Sequence, residues 1–160
     1  MTHYLVYYRE YWDDFEPGYQ PSQNWSSNSV KMYKTVKPRD TFWVVVSGGS
    51  DAPDRWFLLE RIHIARIERQ PTPDRWGKYL ITGDKNKSQL FSLRAQPDFT
   101  AILWLLKFAS GKRIKILGRR IGLALQSNGF RSLAESDAVL LEDYVRMLKL
   151  AKRNKVKVIP

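Results

Sequence analysis

Three tryptophans stand in polar surroundings in the sequence, where an indole is available for chemistry other than core packing. Trp25, Trp56 and Trp76 each have Ser, Asn, Asp or Arg close by along the chain. The face of an indole can stack on a nucleobase that has left its helix, and each stacked base contributes roughly 1–3 kcal/mol. Two or three such faces also suit a methylated base, because methylation adds apolar area. These residues predict an aromatic base-binding site, whereas Trp43 and Trp104 lie in apolar runs and are assigned to the core.

The charge of the chain indicates a polyanionic partner. Its 160 residues include 27 Lys and Arg against 16 Asp and Glu, which gives a formal net charge of +11. Residues 1–60 hold 6 basic and 8 acidic side chains, whereas residues 111–160 hold 12 and 4. This asymmetry favours nucleic acid, with a solvated basic helix face and tail as the alternative. The residues expected to contact phosphate are Arg75, Lys78, Lys85 and Lys87 near the aromatic site, with Arg113, Arg119 and Arg120 as a second group.

The sequence shows no motif that indicates an enzyme. It has no cysteine and two histidines, which excludes disulfides, thiolate nucleophiles and His-rich metal sites. No glycine-rich phosphate-binding motif follows a predicted strand. Asp13, Asp14 and Glu16 could hold a divalent cation in a nuclease, but no Lys or His lies at a useful spacing, so a solvated surface is preferred. We therefore expect no enzymatic activity, no metal and no cofactor.

The apolar segments are too short for a membrane protein. The longest uninterrupted runs are Phe42–Val46 and Ala101–Leu106, far below the roughly 20 residues that span a bilayer. From its first residues we expect no signal peptide. We therefore expect a cytoplasmic protein with no membrane partner.

The pattern of apolar and turn-forming residues predicts an α+β domain. Strands are expected over residues 3–9, 41–47, 55–69, 78–82 and 89–94, and helices over residues 29–36, from residue 97, over residues 116–126 and over residues 132–153. The phase of the apolar residues changes near Ala65 and Arg66, which predicts a β-bulge there. Residues 11–29 and 70–77 are expected to form loops, because turn residues interrupt any periodicity. The five or six strands are expected to close into a small barrel.

The order of four short segments resembles that of the PUA-like superfamily, particularly its EVE and YTH-like branches. The segments are Asn24–Asn28, the turn Val36–Thr41, a strand ending in Val46–Gly48, and Trp56–Leu59. The resemblance covers roughly residues 3–94. It implies a small β-barrel with flanking helices that reads modified bases in RNA or DNA. In a prokaryotic or phage context, such domains often serve as specificity modules of modification-dependent restriction systems.

The resemblance also implies the domain boundaries. Residues 1–153 would form one PUA-like domain, with the barrel at about residues 3–94 and a helical part at about residues 97–153. Residues 154–160 would be a basic tail or a linker to a further domain.

Individual residues acquire roles from the same resemblance. Trp25 matches the first wall of the YTH-type aromatic cage, and Trp76 lies in the region that supplies the second wall, with Trp56 as the competing position. The residues that match the polar positions around the base are Ser26, Ser27, Asn28 and Ser47. Two features differ from the family. Arg39 stands where these domains usually have Gly, and the loop after Gly48 is longer than the YTH pattern and lacks its Asn.

The sequence as a whole predicts a nucleic-acid-binding domain that accepts a flipped, modified base. DNA is favoured over RNA, and any cutting is expected from a fused or associated nuclease or NTPase. Two alternatives stay open besides a nuclease. One is RNA binding without readout of a modification, and the other is a protein-interaction module that docks through Leu140, Tyr144 and Leu148 of the C-terminal helix.

Overall fold

The computed structural model describes residues 1–9, 11, 23–49, 52–94, 96–97, 99–114, 116–117, 120–121 and 130–157. For residues 116–117, 120–121 and 151–157 it describes the backbone alone. These residues form an α+β fold, which confirms the class expected from the sequence.

Nine strands and three helices are found within the described residues. The strands are β1 (His3–Tyr7), β2 (Asn24–Ser27), β3 (Thr41–Gly48), β4 (Ala52–Asp74), β5 (Gly77–Gly83), β6 (Gln89–Leu90), β7 (Ile116–Leu117), β8 (Arg120–Ile121) and β9 (Phe130–Ser132). The helices are α1 (Val30–Thr35), α2 (Thr100–Leu105) and α3 (Glu135–Lys157). Helix α1 begins where the sequence predicts, because the Ser29 side chain accepts a hydrogen bond from the Met32 N–H at 3.1 Å.

Seven strands form one mixed sheet in the order β2-β5-β4-β3-β1-β9, with β6 also paired to β4. Strands β1 and β3 run parallel, and the other pairs of this sheet are antiparallel. Strands β7 and β8 pair separately. The pairings of the described residues leave the sheet open, with β2 and β9 at its two ends. They do not include the closure that the expected barrel requires.

Strand β4 is long enough to belong to both halves of this sheet. Its 23 residues pair with β3 up to His63 and with β5 from Ile64 onward. The register shifts between Ile64 and Arg66, so the bulge predicted from the sequence is confirmed. A bulge bends a strand and increases its twist. The bend turns β5 and β2 over β3, and as a result Trp25 contacts Phe42 across the fold.

Two hydrophobic cores lie on opposite faces of the sheet, because side chains alternate along each strand. In β3, Trp43 and Val45 point to a core that α2 and α3 cover, which we call the helix-side core. Phe42, Val44 and Val46 point to a second core, which we call the inner core. Besides these three, the inner core contains Tyr4, Val6, Tyr11, Met32, Val36, Phe57, Leu59, Ile62, Ile64, Ile81 and Phe130.

Several local expectations are wrong. Residues 24–27 form β2 and residues 70–74 continue β4, although both segments were expected to be loops. Residues 116–117 and 120–121 pair as strands, where a helix was expected. Helix α3 begins at Glu135 and not at Ser132, because Ser132 is paired in β9. The same helix continues to Lys157, through the first residues of the expected tail.

Candidate functional site

Trp25 lies on the edge strand β2 and faces the inner core. It pairs with Ile81 of β5, which is buried in that core. The indole is half-buried and meets two other rings edge to face. Its ring centroid is 5.6 Å from that of Tyr8 and 6.4 Å from that of Phe42. Trp25 therefore reaches from the surface into an aromatic interior.

Glu60 lies in the same interior, and no pattern in the sequence predicts an acidic side chain there. The register between β3 and β4 shifts between Val44 and Val45, so that Glu60 pairs directly with Val44 of the inner core. Paired residues of antiparallel strands share a face. Glu60 is 2% exposed, and its Oε2 atom has no hydrogen-bond partner within the described part of the chain. Burial raises the pKa of Glu60 to about 8, so its carboxyl is mostly neutral near pH 7.

Tyr11 connects Glu60 to the aromatic rings. Its ring centroid lies 5.8 Å from that of Tyr8, which in turn contacts Trp25. Burial raises the pKa of the Tyr11 hydroxyl, and the neighbouring Glu60 carboxyl raises it further. We call Trp25, Tyr8, Tyr11, Phe42 and Glu60 the Trp25–Glu60 cluster. It combines aromatic faces with one buried carboxyl whose Oε2 atom has no hydrogen-bond partner among the described residues, which is a composition found in small-molecule and base pockets.

The turn between β4 and β5 presents a second indole. Trp76 is 39% exposed, and the Arg75 guanidinium lies 4.4 Å from the centroid of its ring. Asp74 organises this turn, because its Oδ1 accepts hydrogen bonds from the N–H groups of Trp76 at 2.9 Å and Gly77 at 2.8 Å. Its Oδ2 accepts one from Ser26 Oγ at 2.7 Å. Trp76 is thus held on a defined turn that is tied to the strand of Trp25.

The pKa of Asp74 follows from this environment. Partial burial acts to raise it, but the hydrogen bonds from Ser26, Gln70 and the two backbone N–H groups outweigh burial, and the net pKa is lower than usual. Gly77 is required beside it, because a Cβ atom there would lie 2.5 Å from the carbonyl oxygen of Ser27. The close approach of β2 to the turn fixes Ser27 and Trp76 relative to each other.

A pair of stacked tyrosines lies next to this turn. The rings of Tyr33 in α1 and Tyr79 in β5 are 4.4 Å apart and nearly parallel, with Tyr33 38% exposed. The Lys78 N–H donates to Asn28 Oδ1 at 3.2 Å, which joins the start of α1 to β5. We call Tyr33, Tyr79, Trp76, Arg75 and Lys78 the aromatic–basic surface.

The elements that carry this surface are predominantly basic. Helix α1, the part of β4 that pairs with β5, the turn and β5 hold six basic residues, which are Lys31, Lys34, Arg66, Arg69, Arg75 and Lys78. Their acidic residues are Glu68 and Asp74. Glu68 is 3.2 Å from Arg66, and both Asp74 oxygens accept hydrogen bonds. The exposed charge beside the stacked rings is therefore positive.

The predicted polar residues of the base site serve the scaffold in this structure. Ser26 binds Asp74, Ser27 Oγ accepts a hydrogen bond from the Ser29 N–H at 3.0 Å, and Asn28 accepts from Lys78. These bonds hold β2, α1 and the turn together. They position Trp25 and Trp76 and engage the side-chain oxygens expected to hold a base edge.

The structure does not bring Trp56 and Ser47 to Trp25. Trp56 is completely buried in the helix-side core, where its ring packs against Tyr7. Ser47 pairs directly with Trp56 and shares its face. Trp25 lies on the opposite face of the sheet. Of the two candidate second walls, Trp76 is the one at the surface.

The predicted phosphate ligands near the aromatic site are divided between the two ends of β5. Lys85 and Lys87 are exposed after β5, whereas Arg75 and Lys78 lie at its other end, roughly 20 Å away for a seven-residue strand. Arg113 is exposed, and its backbone forms an isolated antiparallel β-bridge with that of Lys107. Arg120 is in β8, where the backbone alone is described, and Arg119 lies outside the described residues, as do Asp13, Asp14 and Glu16.

The face of α3 proposed for protein docking is used within the chain. Tyr144 is 3% exposed and packs on Phe99, with ring centroids 5.0 Å apart. Leu140 and Leu148 pack against the same helix-side core. These three residues therefore stabilise the fold.

The chain matches no protein-family model and no curated protein. Within the residues described above, no three His, Cys, Asp or Glu side chains are grouped so that they could hold a metal ion. No helix of the described chain is long and apolar enough to cross a membrane.

Proposed function

We propose that the protein is a nucleic-acid-binding domain that accepts one unstacked, modified base at the Trp25–Glu60 cluster. The nucleotides on either side of this base lie on the aromatic–basic surface. The observation that carries the proposal is the exposed Trp76 with Arg75 on its face, held on an ordered turn beside the Tyr33–Tyr79 stack. Exposed aromatic rings among cations are the means by which proteins bind single-stranded nucleic acid.

Stacking and charge act on different parts of the same ligand. Bases stack on rings such as Trp76 and Tyr33, whereas Arg75 and Lys78 attract phosphates and release their counterions. Glu68 and Asp74 are the acidic groups nearby, and the six basic residues of these elements outnumber them. An acidic peptide would satisfy the charges but would leave the exposed rings without flat partners.

The proposal includes a PUA-like architecture. Its support is the bend of β4, which folds β2 and β5 over β3 and encloses the inner core between them. A base-reading role within a modification-dependent restriction system, with cutting by an associated nuclease, rests on the resemblance of Asn24–Asn28 and its neighbouring segments to EVE and YTH-like domains.

The test is the affinity of the protein for matched single-stranded and duplex oligonucleotides, measured by fluorescence anisotropy. Each carries one plain, N6-methyladenine, 5-methylcytosine or 5-hydroxymethylcytosine base, in DNA and in RNA. A preference of tenfold or more, about 1.4 kcal/mol, for one modified base is expected. Trp25→Phe should reduce this preference without unfolding the inner core. Equal affinity for all bases would leave general nucleic-acid binding, and no binding to any oligonucleotide would overturn the proposal.

A further inference from the structure

We propose that Glu60, in its neutral form, is the group that hydrogen-bonds the bound base, and that it selects uncharged bases over cationic ones. This rests on the proposed function, since it assigns the ligand class of the same site. Its starting point is that Glu60 is 2% exposed and that Oε2 lacks a partner in the described chain. A buried polar atom left unpaired costs stability, so its retention calls for an explanation.

The position of Glu60 relative to Trp25 supports a shared ligand. Trp25 contacts Phe42 and Tyr8, and these two residues lie on either side of Val44 on the inner face of the sheet. Glu60 is the direct cross-strand partner of Val44. Trp25 and Glu60 thus both belong to the inner core, and a base that enters this core beside Trp25 would meet the Glu60 carboxyl there.

The protonation state decides which ligands fit. A neutral carboxyl offers one O–H donor and one carbonyl acceptor, whereas a carboxylate only accepts. An uncharged base edge presents an acceptor beside an N–H donor, and it complements the neutral carboxyl. A base that carries a positive charge would require the ionised carboxylate, which burial disfavours by raising the pKa of Glu60 to about 8.

Access to Oε2 requires movement of the surrounding side chains. Tyr11 next to Glu60 is 6% exposed, and Val44 is completely buried. Binding that depends on such a rearrangement associates more slowly than simple encounter of two surfaces. We therefore expect the association rate to be lower for an oligonucleotide with the modified base than for an unmodified oligonucleotide.

The ionisable and charged neighbours of Glu60 define the pH range of the test. Among the described residues, Tyr11 is the titratable group whose pKa the Glu60 carboxyl affects, and the burial of both keeps them neutral near pH 7. Arg61, next in β4, points to the other face, where it contacts Glu142 at 2.5 Å. The residue that pairs with Glu60 in β6, Leu90, is apolar. Ionisation of Glu60 is thus the event expected between about pH 7 and pH 9.

The experiment compares N6-methyladenine with its isomer 1-methyladenine, which is cationic near pH 7, in one single-stranded oligonucleotide. The proteins are the wild type, Glu60→Gln, Glu60→Leu and, as a control on the same strand, Glu68→Gln. The wild type should prefer the uncharged isomer and lose about tenfold in affinity from pH 7 to pH 9, since about one carboxyl in ten stays protonated one unit above its pKa. Glu60→Gln should bind N6-methyladenine equally well at both pH values, because an amide also offers a donor and an acceptor and does not titrate.

The remaining outcomes separate this inference from the proposed function. Glu60→Leu should lose the preference at every pH while retaining the near-ultraviolet circular dichroism of the folded protein. If Glu60→Leu binds and discriminates as the wild type does, the role of Glu60 is overturned and the proposed function stands. If affinity rises with pH and Glu60→Gln loses it, the ionised carboxylate is the reader and the inference is wrong. If the wild type binds no oligonucleotide, both are overturned.

Discussion

Ser26 Oγ donates a hydrogen bond to Asp74 Oδ2 at 2.7 Å, and this bond joins the strand that carries Trp25 to the turn that carries Trp76. The two residues are 48 positions apart in the sequence. Because Asp74 also accepts from the Trp76 and Gly77 N–H groups, its carboxylate fixes both the turn and the edge strand. The strand of the half-buried Trp25 and the turn of the exposed Trp76 are therefore joined through one carboxylate.

Replacing Asp74 with Ala should loosen this arrangement. The variant leaves Ser26, Trp76 and Gly77 without their acceptor, and we expect a loss of about 1–3 kcal/mol in the free energy of unfolding, measured by urea denaturation. Asp54→Ala, at an exposed position at the other end of β4, should change it by less than about 0.5 kcal/mol. Equal effects of the two substitutions would show that the Asp74 hydrogen bonds do not stabilise the turn.

Removing the Trp76 ring should weaken binding without affecting the fold. Trp76→Ala loses one stacking platform, so affinity for a single-stranded oligonucleotide should fall roughly 5–100-fold. Trp104→Ala is the matched control. Trp104 in α2 is 53% exposed, so its assignment to the core from its apolar run was wrong, and it lies on an element of the helix-side core. Anisotropy titrations of both variants at one salt concentration provide the comparison. A similar loss in both, or in neither, would contradict the assignment of the surface.

The buried carboxyl of Glu60 should make stability depend on pH. Its pKa is raised from 4.5 to about 8, so the folded state holds a proton that the unfolded state releases above pH 4.5. The contribution of Glu60 to stability is therefore greatest below pH 4.5 and is lost as the pH rises toward 8, by up to 1.36 kcal/mol per pH unit. The difference in unfolding free energy between the wild type and Glu60→Gln, taken at pH 5, 6.5 and 8, isolates this effect. A constant difference would mean that Glu60 ionises normally.

Arg39 occupies a backbone conformation that favours glycine. Its φ is +77°, in the turn before β3. The PUA-like domains that this segment resembles usually have Gly at this position. An L-residue pays roughly 1–2 kcal/mol there, partly offset by the flexibility that Gly would add to the unfolded chain. Arg39→Gly should therefore raise the unfolding free energy by about 0.5–1 kcal/mol, whereas Arg39→Ala, which keeps the strained φ, should not. Thermal unfolding of the pair gives the answer, and destabilisation by Gly would rule out strain at this turn.

Features with a local signature in the sequence could be predicted. The apolar run from Phe42 to Val46 is found in β3. The change of apolar phase at Ala65 and Arg66 corresponds to a register shift in β4. Ser29 begins a short helix, because its side chain can cap the first turn without help from distant residues.

Features that depend on distant partners could not be predicted. Residues 24–27 are polar and follow no apolar alternation, and they form a strand because β5 supplies the hydrogen bonds. The polar neighbours of Trp56 suggested exposure, but α2 and α3 cover its face of the sheet. The burial of Glu60 could not be predicted for a similar reason. A register shift beside Leu58 turns its side chain inward, and the one clue in the sequence was an acidic residue directly after an apolar run.

The most direct test of nucleic-acid binding is the affinity of the wild-type chain for a single-stranded oligonucleotide at about 50 mM and about 200 mM salt. Four phosphate contacts, from residues such as Lys34, Arg69, Arg75 and Lys78, predict a roughly 50-fold loss of affinity over this range. The Arg75→Ala, Lys78→Ala double variant should show a shallower dependence. Affinity that is undetectable at the lower salt concentration, or that does not change between the two, would contradict the proposed function.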